Sequence, residues 1–225
     1  MPLLLPTELA ARLDAALWNP FATAAEIEAF CAEAQRHKLR AACVNGSRVA
    51  LASARLEDSG VQVVALVSFP LGAADADVKR YEVEAAIDHG AQEVELPFNV
   101  GLLKDGNHKA LLRELRDVVE AAEERPVCVA LETAHLTREE IQIVGELIVE
   151  SGAHGVSSSA DFHPDARVSA DDIKTLRGVV GAKFIVKAAG GVCDAQTAQL
   201  LLEAGATRIG TTDATALWQS FQADN

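Results

Sequence analysis

Positive charge is scarce in this sequence: 20 lysines and arginines stand against 33 aspartates and glutamates, a net charge of −13 over 225 residues. Such a field repels nucleic acid and anionic membranes, so neither is expected as a partner. A phosphorylated ligand would have to be held by local donors against that field. Long apolar runs are missing too. No stretch approaches the roughly 18–20 apolar residues a spanning helix needs. The opening MPLLLP is too short for the apolar segment of a signal and has no basic residue before it, which predicts no secretory leader. Cysteine is sparse and scattered: Cys31, Cys43, Cys128 and Cys193 form no CxxC pair and no Cys/His cluster. Reduced thiols in a cytoplasmic protein are expected, without a disulfide framework, a metal site or a cofactor. No Pro/Ser-rich linker interrupts the chain, so residues 1–225 are expected to form one domain. With 49% hydrophobic and 24% charged residues, that domain can bury a sizeable core.

Two catalytic signatures are also absent. No GxGxxG follows the first strand, which argues against an open doubly wound sheet, and no GxSxG elbow marks a serine hydrolase. His154 and His163 flank a strand, but His154 and Glu132 lack a recognisable metal-ligand spacing.

What the sequence does contain is an alternation of short β-branched runs with longer helical patterns. The expected strands are Arg40–Asn45, Val61–Phe69, Glu93–Phe98, Val127–Thr133, Gly155–Ser159, Lys183–Ala188 and Arg208–Thr212, with an eighth at Leu13–Leu17. Between them, segments such as Ala76–His89, His108–Glu123 and Arg138–Glu150 repeat apolar residues at three- and four-residue spacing. Thr137 with Glu140 reads as a capping box, and Ser169 with Asp172 as a looser N-cap. Gly90-Ala91, Gly152-Ala153 and Gly205-Ala206 each close a helix just before a strand. Helix, glycine cap and strand in repetition predict a parallel βα array, and eight such units predict an α/β (β/α)8 TIM barrel.

In that architecture chemistry belongs at the C-terminal ends of the strands. Lys187 lies inside the apolar run FIVKAAGG, where desolvation is expected to lower its pKa and free a neutral amine for Schiff-base chemistry. A structural ion pair is the alternative role. Gly190-Gly191 and Gly210-Thr211-Thr212 end neighbouring strands with open amides, where barrels hold phosphate. Glu95, Glu132 and Asp14 are acidic residues on buried strands. They are expected to face the mouth, as acid/base groups or as partners of Lys187. Ser157, Ser158 and Ser159 line the site or satisfy backbone groups. Trp18, Trp218 and Phe221 serve either the core or an interface, which leaves a homodimer open.

SFPLG (Ser68–Gly72) with Lys79 and Glu82, GAQEVELPFNVG (Gly90–Gly101), LET (Leu131–Thr133), KAAGG (Lys187–Gly191) and RIGTT (Arg208–Thr212) together resemble the deoxyribose-phosphate aldolase family, in order and spacing, over roughly residues 10–215. The resemblance implies a class I aldolase on a TIM barrel, acting on a small aldehyde or a sugar phosphate. By that resemblance Lys187 matches the lysine of the seventh strand, and Glu95 stands at an aspartate that assists proton transfer. Ser157, in SSSADF, stands where the family motif KTSTGF keeps its Schiff-base lysine. Asp161 replaces that motif's glycine, and Cys193 and Cys128 stand at an arginine and a lysine. A hydroxyl cannot form an iminium ion. Three readings follow: an aldolase with Lys187 as the imine-forming amine, a ligand-binding or regulatory homologue without the chemistry, and acid/base catalysis by Glu95 or Glu132 with Lys187. Asp161 and Asp213 favour a neutral or cationic group at the former phosphate end.

Overall fold

The computed structural model describes residues 4–162 and 167–223, the side chains of 221–223 excepted. His163 and the side chain of Phe221 therefore lie outside the described part. Eight strands run in parallel and close on themselves in sequence order: β1 Leu13–Leu17, β2 Ala41–Asn45, β3 Gln62–Leu66, β4 Glu93–Pro97, β5 Val127–Ala130, β6 Gly155–Ser157, β7 Ile185–Ala188 and β8 Arg208–Thr211. The ring is sealed by β8 pairing with β1, Gly210 opposite Asp14. The helices are α1 Pro6–Ala10, α2 Ala24–Arg36, α3 Val49–Leu56, α4 Ala76–Asp88, α5 Val100–Lys104, α6 His108–Ala121, α7 Arg138–Ser151, α8 Ala170–Val180, α9 Ala195–Glu203 and α10 Ala214–Ala223. The expected (β/α)8 barrel is the fold observed.

Local chemistry sets the boundaries. Thr137 accepts from the Glu140 amide while Glu140 returns to the Thr137 amide, and Ser169 with Asp172 forms the same reciprocal box. Gly152 ends α7 at φ 87°, a left-handed conformation that glycine takes without strain. Outward side chains of the strands, among them Val44, Val94, Val156 and Ile209, pack against Ile27, Leu111, Ile148 and Ile173 of the helices. That layer is the main core, and each such residue contributes about 1.5–3 kcal/mol on leaving water.

The inside of the barrel is different. Branched aliphatics usually fill it. Here Ala41, Cys43, Val64 and Leu66 form a small apolar cluster, and the strands β1, β4, β7 and β8 add the inward Asp14, Glu93, Glu95, Lys187, Arg208 and Gly210. Because side chains alternate along a strand, Asp14 and Ala16, Glu93 and Glu95, and Arg208 and Gly210 are the pairs that share one face.

Candidate active site

Lys187 crosses the barrel from β7. Its Nζ donates to Glu95 Oε2 on β4 at 2.6 Å, and lies 3.5 Å from Asp14 Oδ2 on β1 and 3.9 Å from Cys43 Sγ on β2. Only 4% of the residue is exposed, so the amine is inside the barrel and does not snorkel to solvent. Gly210 makes the crossing possible: a Cβ there would come within 2.6 Å of Lys187 Cε. Gly210 thus clears a path for the lysine stem.

Below this amine lies a charged layer that the sequence reading did not single out. Arg40 donates through Nε to Asp14 and through Nη1 to Glu93 Oε2 at 3.1 Å, while Arg208 Nη1 donates to Glu93 Oε1 at 2.6 Å. Three cations and three carboxylates therefore alternate as Arg208, Glu93, Arg40, Asp14, Lys187 and Glu95. Charges withdrawn from water persist only with such partners. The signal was present in Glu93-x-Glu95 and Arg208-x-Gly210, whose period of two aims both members inward.

The network decides the protonation states. For Lys187, burial favours the neutral amine, as expected from the sequence, but nearby negative charge outweighs it and the pKa rises well above the usual lysine value. Cys43 adds to this only when ionised. Burial drives the Cys43 thiol up, so the carboxylates of Glu95 and Asp14 carry the effect. Lys187 at rest is an ammonium ion, and the expected lowering is reversed. Burial raises Glu95, with Lys187 opposing. Asp14 is also penalised by burial, yet Lys187 and Arg40 more than compensate and leave it lowered. One amine thus sits between two carboxylates whose proton affinities are pushed in opposite directions.

The other expected residues surround this centre in different roles. Ser157 is the register partner of Lys187 on β6, is fully buried, and donates to the Ser159 carbonyl at 3.0 Å. Ser158 donates to the Ala189 carbonyl at 2.6 Å and accepts from its amide at 2.9 Å, joining β6 to β7. Glu132 was a candidate partner for Lys187, but it accepts instead from Ser159 Oγ at 2.8 Å and the Ala160 amide at 2.7 Å. Burial raises its pKa. It pins the loop after β6.

Gly190 and Gly191 turn the chain at φ 116° and 70°. The Gly191 amide donates to Asp161 Oδ1 at 2.9 Å, and Thr212 Oγ1 donates to Asp161 Oδ2 at 2.9 Å. Thr211 Oγ1 donates to the Val192 carbonyl at 2.6 Å. His154 Nδ1 accepts from the Val127 amide, a backbone role.

Above the amine remains a cavity of ≈ 20 Å³, bordered by Trp18, Cys43, Phe69, Glu95, Lys187 and the Ser159–Asp161 loop. That is room for about one water-sized group. Trp18 packs edge-on to Phe69 at 5.7 Å and lies 6.5 Å from Phe162, so aromatic rings roof the site. A larger groove of ≈ 430 Å³ lies between α2 and α10, where His37 stacks on Trp218 at 4.9 Å, and none of Asp14, Glu95 or Lys187 reaches it. The charged centre, unlike that groove, brings an amine and carboxylates together under a cavity. Among the described residues no group of three or more His, Cys, Asp or Glu is placed to hold a metal ion, and no helix is long and apolar enough to cross a membrane.

No family model matches the chain. It is 39% identical over 212 residues to a deoxyribose-phosphate aldolase of Bdellovibrio bacteriovorus, covering 94% of this chain and 96% of the relative. A deoxyribose-phosphate aldolase of Exiguobacterium sibiricum is 40% identical over 210 residues, covering 93% and 95%. Among solved structures, the aldolase QR15 superposes with a TM-score of 0.90 at 30% identity, covering 96% of each chain. The deoxyribose phosphate aldolase of Aeropyrum pernix, described as a unique tetramer, gives 0.90 at 26% identity, covering 98% and 94%.

Proposed function

The chain belongs to the deoxyribose-phosphate aldolase family, and on that premise we propose that it makes or breaks a carbon–carbon bond next to an aldehyde, with Lys187 as the amine that captures the carbonyl. The observation that carries this reading is the buried Lys187 Nζ, 2.6 Å from Glu95 and 3.5 Å from Asp14 beneath the roofed cavity. Ser157, at the position where the resemblance places the family's imine-forming lysine, offers only a hydroxyl engaged with Ser159.

The two carboxylates divide the work. Glu95 is raised by burial, so it can take the ammonium proton across 2.6 Å and return it later. The free amine adds to the aldehyde, and Glu95 returns the proton as water leaves. The resulting iminium carries the same positive charge as the ammonium it replaces. Asp14, lowered and therefore anionic, stabilises that charge without moving a proton. In the cleavage direction Glu95 takes the proton of the β-hydroxyl, the bond between the α and β carbons breaks, and its electrons flow into the iminium to give an enamine. Protonation of the α carbon and hydrolysis release the aldehyde and the amine.

Borohydride reduction in the presence of acetaldehyde tests this. An N-alkyl adduct on Lys187 in the peptide mass spectrum is expected, absent from Lys187→Ala. Because the amine is the minority form of a lysine with a raised pKa, trapping should accelerate from pH 7 to pH 9. The same ammonium lock favours a second reading, a ligand-binding homologue without the chemistry. Absence of a Lys187 adduct at both pH values would end the imine reading and leave that one or acid/base catalysis without an imine.

A further inference from the structure

Glycine turns after the seventh and eighth strands of such a barrel are natural anion cradles, because their amides and the following helix N-termini converge on one place. In this chain carboxylates of its own already take several of those donors. Asp161 reaches over from the loop after β6 and fills the centre, Oδ1 accepting from the Gly191 amide and Oδ2 from Thr212 Oγ1, both at 2.9 Å. Asp194 caps α9, accepting from the Thr197 amide and hydroxyl, both at 2.7 Å. Asp213 caps α10, accepting from the Ala216 amide at 2.9 Å. Three carboxylates thus compete for donors that an incoming phosphate would use. Asp161 holds a φ of 56°, a left-handed conformation that aspartate tolerates better than most side chains, and both of its oxygens find donors there.

We infer that Asp161 is a built-in anion that closes the phosphate cradle and sets the site for an unphosphorylated hydroxyaldehyde, whose terminal hydroxyl donates to the carboxylate. This deepens the reading of the site as an aldehyde lyase and rests on it for the substrate, but not for the closed cradle. The carboxylate repels a phosphate dianion directly and occupies the Gly191 and Thr212 donors at the same time. Arg167 is the cation nearby: its guanidinium lies over the Gly191 α carbon, in the space a side chain would take. It is unchanged in the variants below, so they isolate Asp161.

The test is equilibrium binding, read by ligand-observed NMR with no reductant, on the wild type, Asp161→Gly and Asp161→Asn. Glycine suits φ 56°, so Asp161→Gly should fold, and Asp161→Asn keeps the side-chain size while removing the charge. Inorganic phosphate should bind Asp161→Gly tighter than the wild type by on the order of tenfold or more, with Asp161→Asn between. The wild type should bind 2-deoxyribose more tightly than 2-deoxyribose 5-phosphate, and Asp161→Gly should reverse that order. Equal phosphate affinity in all three proteins, or a wild type that prefers the phosphate ester, overturns the inference. Because phosphate binding needs no imine, a protein that never traps aldehyde on Lys187 still answers this question, and the two failures stay distinguishable.

Discussion

Replacing Lys187 by methionine removes one of the four buried charges of the site, to which the partly exposed Arg40 and Arg208 are linked, and keeps most of the side-chain volume. Asp14 Oδ2, which accepts no hydrogen bond, and Glu95 Oε2 then lose the cation 3.5 Å and 2.6 Å away. Breaking a buried pair from one side costs about 3–5 kcal/mol, chiefly for the charge left behind. Glu95 has an escape: burial already raises its pKa, and Lys187 is what restrains it, so in the variant it climbs further. A carboxylate whose folded pKa exceeds its unfolded one takes up a proton on folding. Its penalty is absent below the unfolded value, grows as pH rises between the two values and levels off above the folded one. The deficit of Lys187→Met, about 3–5 kcal/mol at pH 8, should therefore shrink by about 1–3 kcal/mol at pH 5.5, since a tenfold change in proton affinity is worth about 1.4 kcal/mol. Urea denaturation of both proteins at both pH values gives the difference directly. Adding Glu95→Gln should restore much of the loss at pH 8 and flatten the pH dependence. A deficit that is the same at both pH values, or a variant as stable as the wild type at pH 8, would refute the claim that this amine neutralises the carboxylates.

Two further substitutions probe the frame around that centre. Gly210→Ala places a methyl 2.6 Å from Lys187 Cε and 2.9 Å from Ala189 Cβ, so overpacking should cost about 1–3 kcal/mol and displace the amine. Aldehyde trapping should drop at least about tenfold through that displacement; trapping at the wild-type rate would mean the lysine stem is free to move aside. Between α4 and α6, Lys79 is fully buried and donates to Glu114 at 2.6 Å, away from the mouth. Lys79→Met should lower stability by about 3–5 kcal/mol, the double variant Lys79→Met/Glu114→Leu should be more stable than either single one, and trapping should be unaffected in all three.

The scaffold was legible because its signals are local. Each strand begins within two residues of the expected position, since β-branched runs and glycine caps act at short range. Strand ends were read too long: the run Val127–Thr133 stops pairing at Ala130, and Gly155–Ser159 at Ser157. There Glu132 and Ser159 leave the ladder to bond one another across two loops, a contact 27 residues apart in the chain. Lys187, Glu95 and Asp14 were legible as inward polar groups on apolar strands. Their protonation was not, because desolvation can be read from one strand whereas the opposing field comes from β1 and β4 and exists only once the ring has closed. Arg40, Glu93 and Arg208 escaped notice for a related reason. Each sits at the start of a strand, where a charged residue ordinarily faces solvent, and only barrel closure turns it inward.

The alternating chain of six charges also constrains which substitutions this barrel tolerates. Losing any one member strands a neighbour of opposite sign, so a single charge-changing substitution costs more stability than a compensating pair. Cys43, Cys128 and Ser157, uncharged and buried beside that chain of charges, carry no such obligation and can be exchanged one at a time. Exchanging these small neutral positions therefore changes the site at the least cost to the ionic floor beneath it.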